Sequence, residues 1–294
     1  MLLHGEFLNG KGTVMYRRSF LNALMSAAAF VAILGLSACG GSPASGPGGS
    51  TSGSQDSSDD ISTLTVGFDQ SYPPYGYVGD DGEYTGFDLD LAAEVAKRNG
   101  WDLELEPIDW DAKDTLLNSG AISCIWNGFT MENREDDYTF SAPYVLNKQV
   151  VVVRADSGIG SLEDLAGKTV LTQVDSAAEA VLNGDKADLT ATFASLDTIS
   201  DYNTAFMQLE SGAVDAVACD LSIAQYQLAG KDIYVQLDEE LSKENYAVGF
   251  KKGNQALADA VTATLKDMTD DGFIEQLCEK YAQDGISFEN WQIK

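Results

Sequence analysis

The sequence predicts an α/β fold with two lobes and mainly parallel sheets. Beyond residue 62, apolar strand-like segments alternate with segments that repeat apolar residues at helical spacing, which is the pattern of βαβ units. Four consecutive valines, at residues 150–153, indicate a strand that is buried on both faces. With 294 residues in all, the chain is long enough for two compact lobes.

The first strand and the first helix are the clearest elements. At residues 63–68, apolar residues alternate with smaller or polar ones, as expected for a strand. The segment that follows predicts a helix that is capped by Asp88 and stops at Asn99-Gly100, because apolar residues recur between these points at helical spacing.

The later elements continue this alternation to the end of the chain. Further strands are predicted at residues 103–106, 122–126, 149–154, 168–172 and 214–218. Helices are predicted between the first two of these strands and at residues 176–183, 203–210, 257–268 and 273–281.

The charge and the histidine content exclude several classes of function. The chain has a formal charge of -28 at pH 7 and one histidine, His4, which precedes a predicted processing site. The mature chain therefore lacks the histidine of a catalytic triad or a zinc site, and its acidity excludes nucleic acid as a partner. Cys124, Cys219 and Cys278 lack metal-ligand spacing and are predicted to be buried thiols. We predict no cofactor, no metal and no catalytic residue.

Residues 1–38 have the pattern of a secretory signal peptide. Arg17 and Arg18 precede an apolar run at residues 23–36, and small residues follow before Cys39. As a helix, this run would span about 21 Å, which is less than the roughly 30 Å of a bilayer core. A transmembrane span is therefore the weaker interpretation.

Residues 39–62 predict a lipid anchor and a disordered tether. The Leu-Ser-Ala-Cys tetrad that ends at Cys39 resembles the lipobox of bacterial lipoproteins, in which the cysteine is acylated and becomes the N-terminus. The segment after it is almost entirely Gly, Ser, Pro, Thr and Asp, and its mean reach of about 25 Å would hold the folded body close to a membrane. The residues before Met15 do not have the character of a signal peptide, so Met15 is an alternative translation start.

Several motifs, each weak alone, occur in a characteristic order from residue 64 to the C-terminus. They are Val66-Gly67-Phe68-Asp69 with Tyr72-Pro73-Pro74-Tyr75, Gly86-Phe87-Asp88-Leu89-Asp90-Leu91, Asn127-Gly128-Phe129-Thr130 with Arg134, Phe140-Ser141-Ala142-Pro143-Tyr144, Leu162-Glu163-Asp164-Leu165-Ala166-Gly167-Lys168, Val214-Asp215-Ala216-Val217 with Asp220, and Asp271-Gly272-Phe273. In this order they resemble the bacterial extracytoplasmic solute-binding proteins, family 3, of amino-acid ABC importers.

The resemblance implies the periplasmic-binding-protein type 2 fold. In this fold, two α/β lobes are joined by two crossing strands and close over a ligand. Lobe 1 would comprise residues 63–147 together with residues 246–294, and lobe 2 would comprise residues 148–245.

The resemblance also implies a cleft for a free α-amino acid. Arg134 would clamp the ligand carboxylate through two parallel donors, with support from Thr130, and Asp220 would pair with the ammonium. The other implied site residues are the cleft floor at Asn127 and Gly128, the start of a helix at Ser176 and Ala177, the aromatic walls Tyr72 and Trp110, and the distal contacts Asp69 and Gln173.

Some of these residues have a purely structural alternative. Arg134 could form a surface ion pair with an acidic residue at 135–137, and Asp220 could cap the helix that follows it. Tyr72 and Trp110 could be ordinary core aromatics.

Two positions depart from the family pattern. The spacing from Thr130 to Arg134 is one residue shorter than usual, which would move the arginine by about 3.3 Å. Asp175 stands where the family usually has glycine, and it could cap the next helix or bring negative charge close to the carboxylate site.

The predicted function is capture of an amino acid by hinge closure and its delivery to the permease and ATPase subunits of an ABC importer. Asp69 and Gln173 suggest a polar or cationic ligand side chain, with glutamine first and arginine or lysine next. The protein would be a monomer, anchored through Cys39 to the outer face of the cell membrane. The alternatives are a ligand-sensing receptor subunit and a cyclohexadienyl dehydratase-like enzyme.

Overall fold

The structure, a computed structural model, describes residues 61–294. The predicted signal peptide at residues 1–38, the predicted lipid anchor Cys39 and nearly all of the predicted tether at residues 39–62 lie outside the described residues. Within the described part, no helix is both long enough and apolar enough to cross a membrane.

The elements within residues 61–294 alternate as the sequence predicts. The strands are β1 (Thr63–Phe68), β2 (Ser71–Tyr72), β3 (Gly76–Val78), β4 (Tyr84–Thr85), β5 (Asp102–Pro107), β6 (Cys124–Ile125), β7 (Tyr138–Phe140), β8 (Val145–Arg154), β9 (Thr169–Gln173), β10 (Ser195–Ile199), β11 (Ala216–Asp220), β12 (Tyr234–Gln236), β13 (Ser242–Tyr246) and β14 (Gly249–Lys251). The helices are α1 (Phe87–Asn99), α2 (Lys113–Ser119), α3 (Ala177–Asn183), α4 (Ala187–Thr190), α5 (Tyr202–Ser211), α6 (Leu221–Leu228), α7 (Gln255–Asp270) and α8 (Phe273–Lys280).

One sheet forms the core of lobe 1, with the strand order β5-β1-β6-β14-β7. β1 pairs in parallel with β5 and β6, whereas β14 is antiparallel to β6 and β7. α1 and α7 pack against each other and against this sheet. Because β14 comes late in the chain, lobe 1 contains segments from both ends of the described region.

The second sheet forms the core of lobe 2, with the order β10-β9-β11-β8-β12 and with β13 paired to β8. β9 is parallel to β10 and β11, but β8 is antiparallel to β11, β12 and β13. Both of these sheets are therefore mixed, and a third, small sheet of β2, β3 and β4 is antiparallel. The prediction of mainly parallel sheets is wrong. The valine run showed only that β8 is buried on both faces, a property that a central antiparallel strand shares with a parallel one.

β8 contributes side chains to the hydrophobic clusters on both faces of the lobe 2 sheet. Val150 and Val152 belong to one hydrophobic cluster, and Val151 and Val153 belong to another. All four side chains are at most 1% exposed. This alternation follows from the two-residue period of a strand.

β8 and β13 are the two strands that cross between the lobes. They pair in antiparallel register, with Val145 opposite Tyr246 and Asn147 opposite Glu244. The predicted lobe boundaries, at 147/148 and 245/246, fall within this strand pair. The division into residues 63–147 with 246–294 and residues 148–245 remains a proposal.

α1 begins after Gly86 and not at Asp88. Gly86 is the N-cap residue with φ 144°, and a Cβ atom there would lie 2.1 Å from the carbonyl oxygen of Tyr75. Asp88 lies in the first turn and forms no cap hydrogen bond, so its predicted capping role is wrong. The predicted stop is confirmed, because Gly100 ends the helix in the left-handed conformation.

Candidate functional site

Asp69 and Gln173 meet directly across the cleft between the lobes. Asp69 follows β1 and Gln173 ends β9, so both lie at the carboxyl edge of a sheet. Gln173 Nε2 donates to Asp69 Oδ2 at 2.7 Å, and the Ser71 N–H donates to Asp69 Oδ1 at 2.7 Å. Burial raises the pKa of Asp69, and these two hydrogen bonds oppose the rise. Asn127 supports the same turn, because its Oδ1 accepts the Asp69 N–H at 3.0 Å.

Arg134 also reaches from lobe 1 to lobe 2. Its guanidinium lies 4.7 Å from the ring centre of Phe129. Nη1 donates to the carbonyl oxygen of Thr130 and Nη2 to that of Asp175, both at 3.1 Å. None of the ion pairs within residues 61–294 includes Arg134, so the alternative of pairing with residues 135–137 is wrong.

Two further lobe 1 side chains converge on Asp175. Trp110 Nε1 donates to its carbonyl oxygen at 3.3 Å, and Lys113 Nζ lies 3.5 Å from its Oδ2. Lys113 is only 4% exposed; burial lowers the pKa of its ammonium, and the charge of Asp175 opposes this. The Trp110 ring packs edge-on against Phe129, so it belongs to the lobe 1 core while its N–H faces lobe 2.

Backbone conformation explains how the chain accommodates its two departures from the family pattern. Asp175 has φ 55° and Asn133 has φ 64°. Asp and Asn adopt this left-handed conformation more readily than other residues with a side chain. Asp175 therefore keeps a backbone conformation that glycine favours, and Asn133 forms part of a turn within the shortened segment, in which the Arg134 N–H donates to the carbonyl oxygen of Met131 at 3.1 Å.

Ser176 and Ala177 begin α3, at the positions that the sequence predicts. Ser176 is the N-cap, and its Oγ accepts the Glu179 N–H at 3.1 Å. The Asp175 N–H instead donates to Glu179 Oε2 at 2.6 Å, so Asp175 does not cap this helix.

Tyr72, Gly128 and Tyr246 pack together on the floor of the cleft. A Cβ atom on Gly128 would lie 3.1 Å from the rings of both tyrosines. The Tyr72 ring centre is 6.0 Å from that of Tyr202 in lobe 2, so Tyr72 contacts both lobes. Burial raises the pKa of Tyr72 and Tyr246 well above the ordinary value, which keeps both hydroxyls neutral.

Asp220 lies at the end of β11 and is 3% exposed. Its Oδ1 accepts hydrogen bonds from Asn147 Nδ2 at 3.0 Å, Gln149 Nε2 at 2.7 Å and Tyr246 Oη at 2.6 Å. Asp220 is the N-cap residue of α6, as the structural alternative predicts, but its side chain forms no cap hydrogen bond and faces these donors instead.

Glu244 is a second buried carboxylate beside Asp220. Asn147 Nδ2 and Gln149 Nε2 each donate also to Glu244 Oε1 at 2.7 Å, so both amides bridge the two carboxylates. Burial, and then the charge of Asp220, raise the pKa of Glu244. No lysine or arginine within residues 61–294 forms an ion pair with either carboxylate. Gln149 Oε1 is buried without a hydrogen-bond partner in the same region.

Asp88 supports the cleft floor through Gly128. Its Oδ2 accepts the Gly128 N–H at 2.6 Å and the Tyr144 hydroxyl at 2.7 Å. The side chain is fully buried, and burial raises the pKa of the carboxyl to about 7. Asp88 therefore fixes the position of the loop that carries Asn127, Gly128 and Thr130.

Two cavities open along the cleft, and residues of both lobes line each one. The first has a volume of about 310 Å³ and includes Lys113, Arg134, Asp175 and Ser176. The second has a volume of about 340 Å³ and carries a group of acidic residues, which are Asp69, Asp109, Asp111 and Asp201. Asp220 lines neither of these cavities.

Three residues that connect these parts, Tyr246, Glu244 and Lys113, were not predicted as site residues from the sequence. Tyr246 forms a β-bridge with Thr130 and a hydrogen bond with Asp220, yet the sequence marked it only as the return point of the chain. Glu244 and Lys113 were missed because charged residues are usually exposed. A signal for Glu244 existed, since it lies two residues before Tyr246 and a strand places both on one face.

The fold and the cleft define a class of protein. Two α/β lobes joined by crossing strands, with polar side chains of both lobes facing a shared cleft, form a two-lobed solute-binding protein of the periplasmic-binding-protein type 2 fold. Residues 64–284 match the family described as bacterial extracellular solute-binding proteins, family 3. The chain belongs to this family, and the resemblance inferred from the sequence is confirmed.

The relatives are named for several different solutes. The L-cystine-binding protein TcyJ of Escherichia coli K12 is 32% identical over 224 residues, which is 74% of this chain and 82% of TcyJ. Relatives named as arginine-binding, glutamate-binding and probable histidine-binding proteins also match. None of these names describes an enzyme.

Solved structures agree with this assignment. One is a substrate-binding protein of an ABC uptake transporter from Streptococcus pneumoniae with bound histidine. It has a TM-score of 0.73 and 30% sequence identity, and the matched region covers 77% of this chain and 95% of that protein's chain. Another is the ancestral amino acid-binding protein AncCDT-1, a precursor of cyclohexadienyl dehydratase. It has a TM-score of 0.68 and 31% sequence identity, and the matched region covers 75% of this chain and 95% of that protein's chain.

We expect Asp88→Asn to flatten the pH dependence of stability. The carboxyl has a pKa of about 4 in an unfolded chain and about 7 in the fold, so the folded state holds an additional proton between these values. The free energy of unfolding should therefore fall as the pH rises from about 4 to about 7. Asparagine retains an acceptor for the Gly128 N–H but does not titrate.

The measurement is the melting temperature at about pH 5 and about pH 8 for the wild type, Asp88→Asn and a control, Asp102→Asn, on the exposed β5 surface. The wild type and the control should lose more stability at the higher pH than Asp88→Asn does. An equal loss in all three proteins would contradict the assignment.

Proposed function

We propose that the protein captures a free α-amino acid in this cleft and delivers it to the permease and ATPase subunits of an ABC importer. The observation that carries the proposal is the buried carboxylate pair, Asp220 and Glu244, which has no lysine or arginine partner within residues 61–294. A buried charge requires a partner of opposite sign. The α-ammonium of an amino acid can supply that partner.

The carboxylate of the same ligand would bind at Arg134. A guanidinium offers five N–H donors in one plane, and its two bonds to carbonyl oxygens leave donors for a ligand. Lys113 lines the same cavity and adds a second positive charge. Thr130, Ser176 and Ala177 would complete this end of the site, as the family resemblance implies.

Hinge closure follows from the distribution of these groups between the lobes. Arg134 belongs to lobe 1 and Asp220 to lobe 2, so one zwitterion would contact both. A ligand favours closure only to the extent that it binds the closed state better than the open one. The contacts of Asp175 with lobe 1 and the bond between Asp69 and Gln173 would be made on closure and lost on opening.

The acidic cavity favours a ligand with a cationic side chain. Asp69, Asp109, Asp111 and Asp201 line it, and no lysine or arginine of the described region does. Opposite charge within a few ångströms is attractive, so arginine or lysine suits this cavity better than the glutamine suggested by residues 69 and 173 alone. Trp110 and Tyr72 would be the aromatic walls beside the side chain.

We favour binding without chemistry, because the relatives reported above are named for the solutes that they bind. Residues 61–294 contain no histidine. A dehydratase requires an acid or base that faces its substrate. The Cys219 thiol is unsuitable, because it is fully buried and burial raises its pKa.

We also propose that the mature protein is an extracytoplasmic monomer anchored through Cys39. The support is the apolar run and the lipobox-like tetrad before that cysteine. Two acyl chains would give stable anchoring, whereas one chain would be marginal. The tether would then hold the binding cleft next to the permease.

A thermal-shift panel of the twenty amino acids and L-cystine tests the proposed function. An amino acid at 100 times its Kd should raise the melting temperature by roughly 5–10 °C, because binding contributes about 2.7 kcal/mol. Arg134→Ala and Asp220→Asn should each lose this increase. Lys97→Ala, which changes an exposed lysine on α1, should retain it. The proposal is wrong if no amino acid shifts the wild type, or if Arg134→Ala responds as the wild type does.

Asp69→Asn tests the ligand side chain. The substitution removes a negative charge from the acidic cavity and keeps the size of the side chain, although an amide N–H replaces one of its two acceptor oxygens. The affinity for L-arginine should fall at least about tenfold and that for L-glutamine should change less. Isothermal titration calorimetry measures both affinities, with the exposed Asp197→Asn as the control. Equal losses for the two ligands would argue against a cationic side chain.

Metabolic labelling with palmitate tests the lipid anchor. The wild type and Cys278→Ser should carry the label and sediment with membranes, whereas Cys39→Ser should carry none and remain in the supernatant. Labelled Cys39→Ser protein would show that another residue carries the lipid.

A further inference from the structure

Four buried side chains form a compact polar group where β8, β11 and β13 meet. They are Asn147, Gln149, Asp220 and Glu244, and each is at most 3% exposed. The strand register places Asn147 opposite Glu244 on one side of β8 and Gln149 opposite Asp220 on the other. Backbone pairing therefore fixes the positions from which the two carboxylates approach each other.

The surrounding donors compensate the two carboxylates only in part. The amides of Asn147 and Gln149 each donate to both carboxylates, and the Tyr246 hydroxyl adds a bond to Asp220. All of these donors are neutral. Two full negative charges held side by side away from water repel strongly, and carboxylate pairs in such places commonly share one proton.

We propose that Asp220 and Glu244 hold one proton between them until a ligand binds, and that the ligand ammonium displaces this proton to the solvent. Glu244 is then a second acidic residue of the ammonium subsite. The inference rests on the proposed function, in which Asp220 binds the ammonium. The only bond broken is the carboxyl O–H; the proton passes to the buffer, and the ammonium takes its place between the carboxylates.

Other atoms of the group suit a bound cation. Gln149 Oε1 is an acceptor that is buried and has no partner among the described residues. It belongs to the same amide whose Nε2 bridges the pair. An ammonium has three hydrogens to donate, so two carboxylates and this amide oxygen can satisfy it.

Asp220 and Glu244 are the source of the released proton, because the neighbouring titratable groups keep their own protons near neutral pH. The titratable groups close to this pair are Tyr72, Tyr75, Tyr202 and Tyr246, together with Cys219, which adjoins Asp220 on β11. Burial raises the pKa of all five well above neutrality, so they stay protonated. On the crossing strands, Lys148 and Lys243 are at least partly exposed and contact Glu240. Asp88 is bonded to Gly128 and Tyr144 instead.

Proton displacement links affinity to pH. Burial and the charge of Asp220 raise the pKa of Glu244, so the pair carries its proton at higher pH than an exposed carboxyl would. Below that pKa, the ligand must displace the proton, and affinity should rise with pH by up to about tenfold per unit. Above it, the pair is already ionised and the affinity should become constant.

Calorimetry in two buffers measures the displaced proton directly. The purified full chain is titrated separately with L-arginine, L-glutamine and L-cystine at about pH 6 and about pH 7, in phosphate and in ACES, which differ in ionisation enthalpy. The difference in heat between the buffers gives the number of protons released. We expect up to one proton per amino acid bound by the wild type, and a higher affinity at the higher pH.

Glu244→Gln is the decisive variant, because it keeps the hydrogen-bonding shape but cannot share a proton. Binding by this variant should release almost no proton, and its affinity should be nearly independent of pH. The matched control is Glu240→Gln, a partly exposed glutamate that pairs with Lys148 and should behave as the wild type. If Glu244→Gln does not fold, Glu244→Asp and the wild-type pH profile decide instead.

The outcomes separate the two proposals. Binding of an amino acid with equal heats in both buffers would overturn proton displacement and leave the proposed function intact. If Glu244→Gln releases as many protons as the wild type, the released proton comes from another group, and the proposal of proton displacement from Asp220 and Glu244 is also wrong. Failure of all three amino acids to bind would overturn the proposed function and this inference together.

Discussion

The antiparallel pairing of β8 with β13 is the constraint on which the cleft depends. It joins the lobes and sets Glu244 opposite Asn147, and it ends at Tyr246, whose backbone bridges Thr130 and whose hydroxyl reaches Asp220. A slip of one residue would turn Glu244 to the other face of the strand. The register of this strand pair therefore fixes both the connection between the lobes and the position of Glu244.

Burial of charge is concentrated at this cleft. Asp69, Asp88, Asp220, Glu244 and Lys113 are each at most 6% exposed, although charged side chains are seldom buried in a soluble protein. A fold tolerates such groups where function requires them, since each one lowers stability unless it is compensated. Asp88 is compensated by hydrogen bonds within lobe 1. Asp220 and Glu244 differ in that two carboxylates share the same amide donors, and this pairing of like charges makes them the groups best suited to an external cation.

Asp175 shows how a departure from a family pattern can be accommodated. Its positive φ preserves a backbone conformation that glycine favours, while its carbonyl oxygen accepts bonds from Trp110 and Arg134. The added carboxylate approaches the buried Lys113. The sequence predicts that Asp175 could bring a negative charge close to the site of the ligand carboxylate. In the structure, Lys113 of lobe 1 is the cationic partner of Asp175, and this ion pair contributes to the contact between the lobes.

Local sequence patterns were sufficient to predict the order of the elements, the α/β class, the motif positions and the family, because periodicity, stop signals and short motifs are local properties. They did not determine that the sheets are mixed, that Asp88 holds Gly128 in place of capping α1, or that Glu244 and Tyr246 belong to the cleft. These facts depend on strand register. Asn147 and Glu244 are 97 residues apart in the chain, and only tertiary folding brings their side chains within one hydrogen bond.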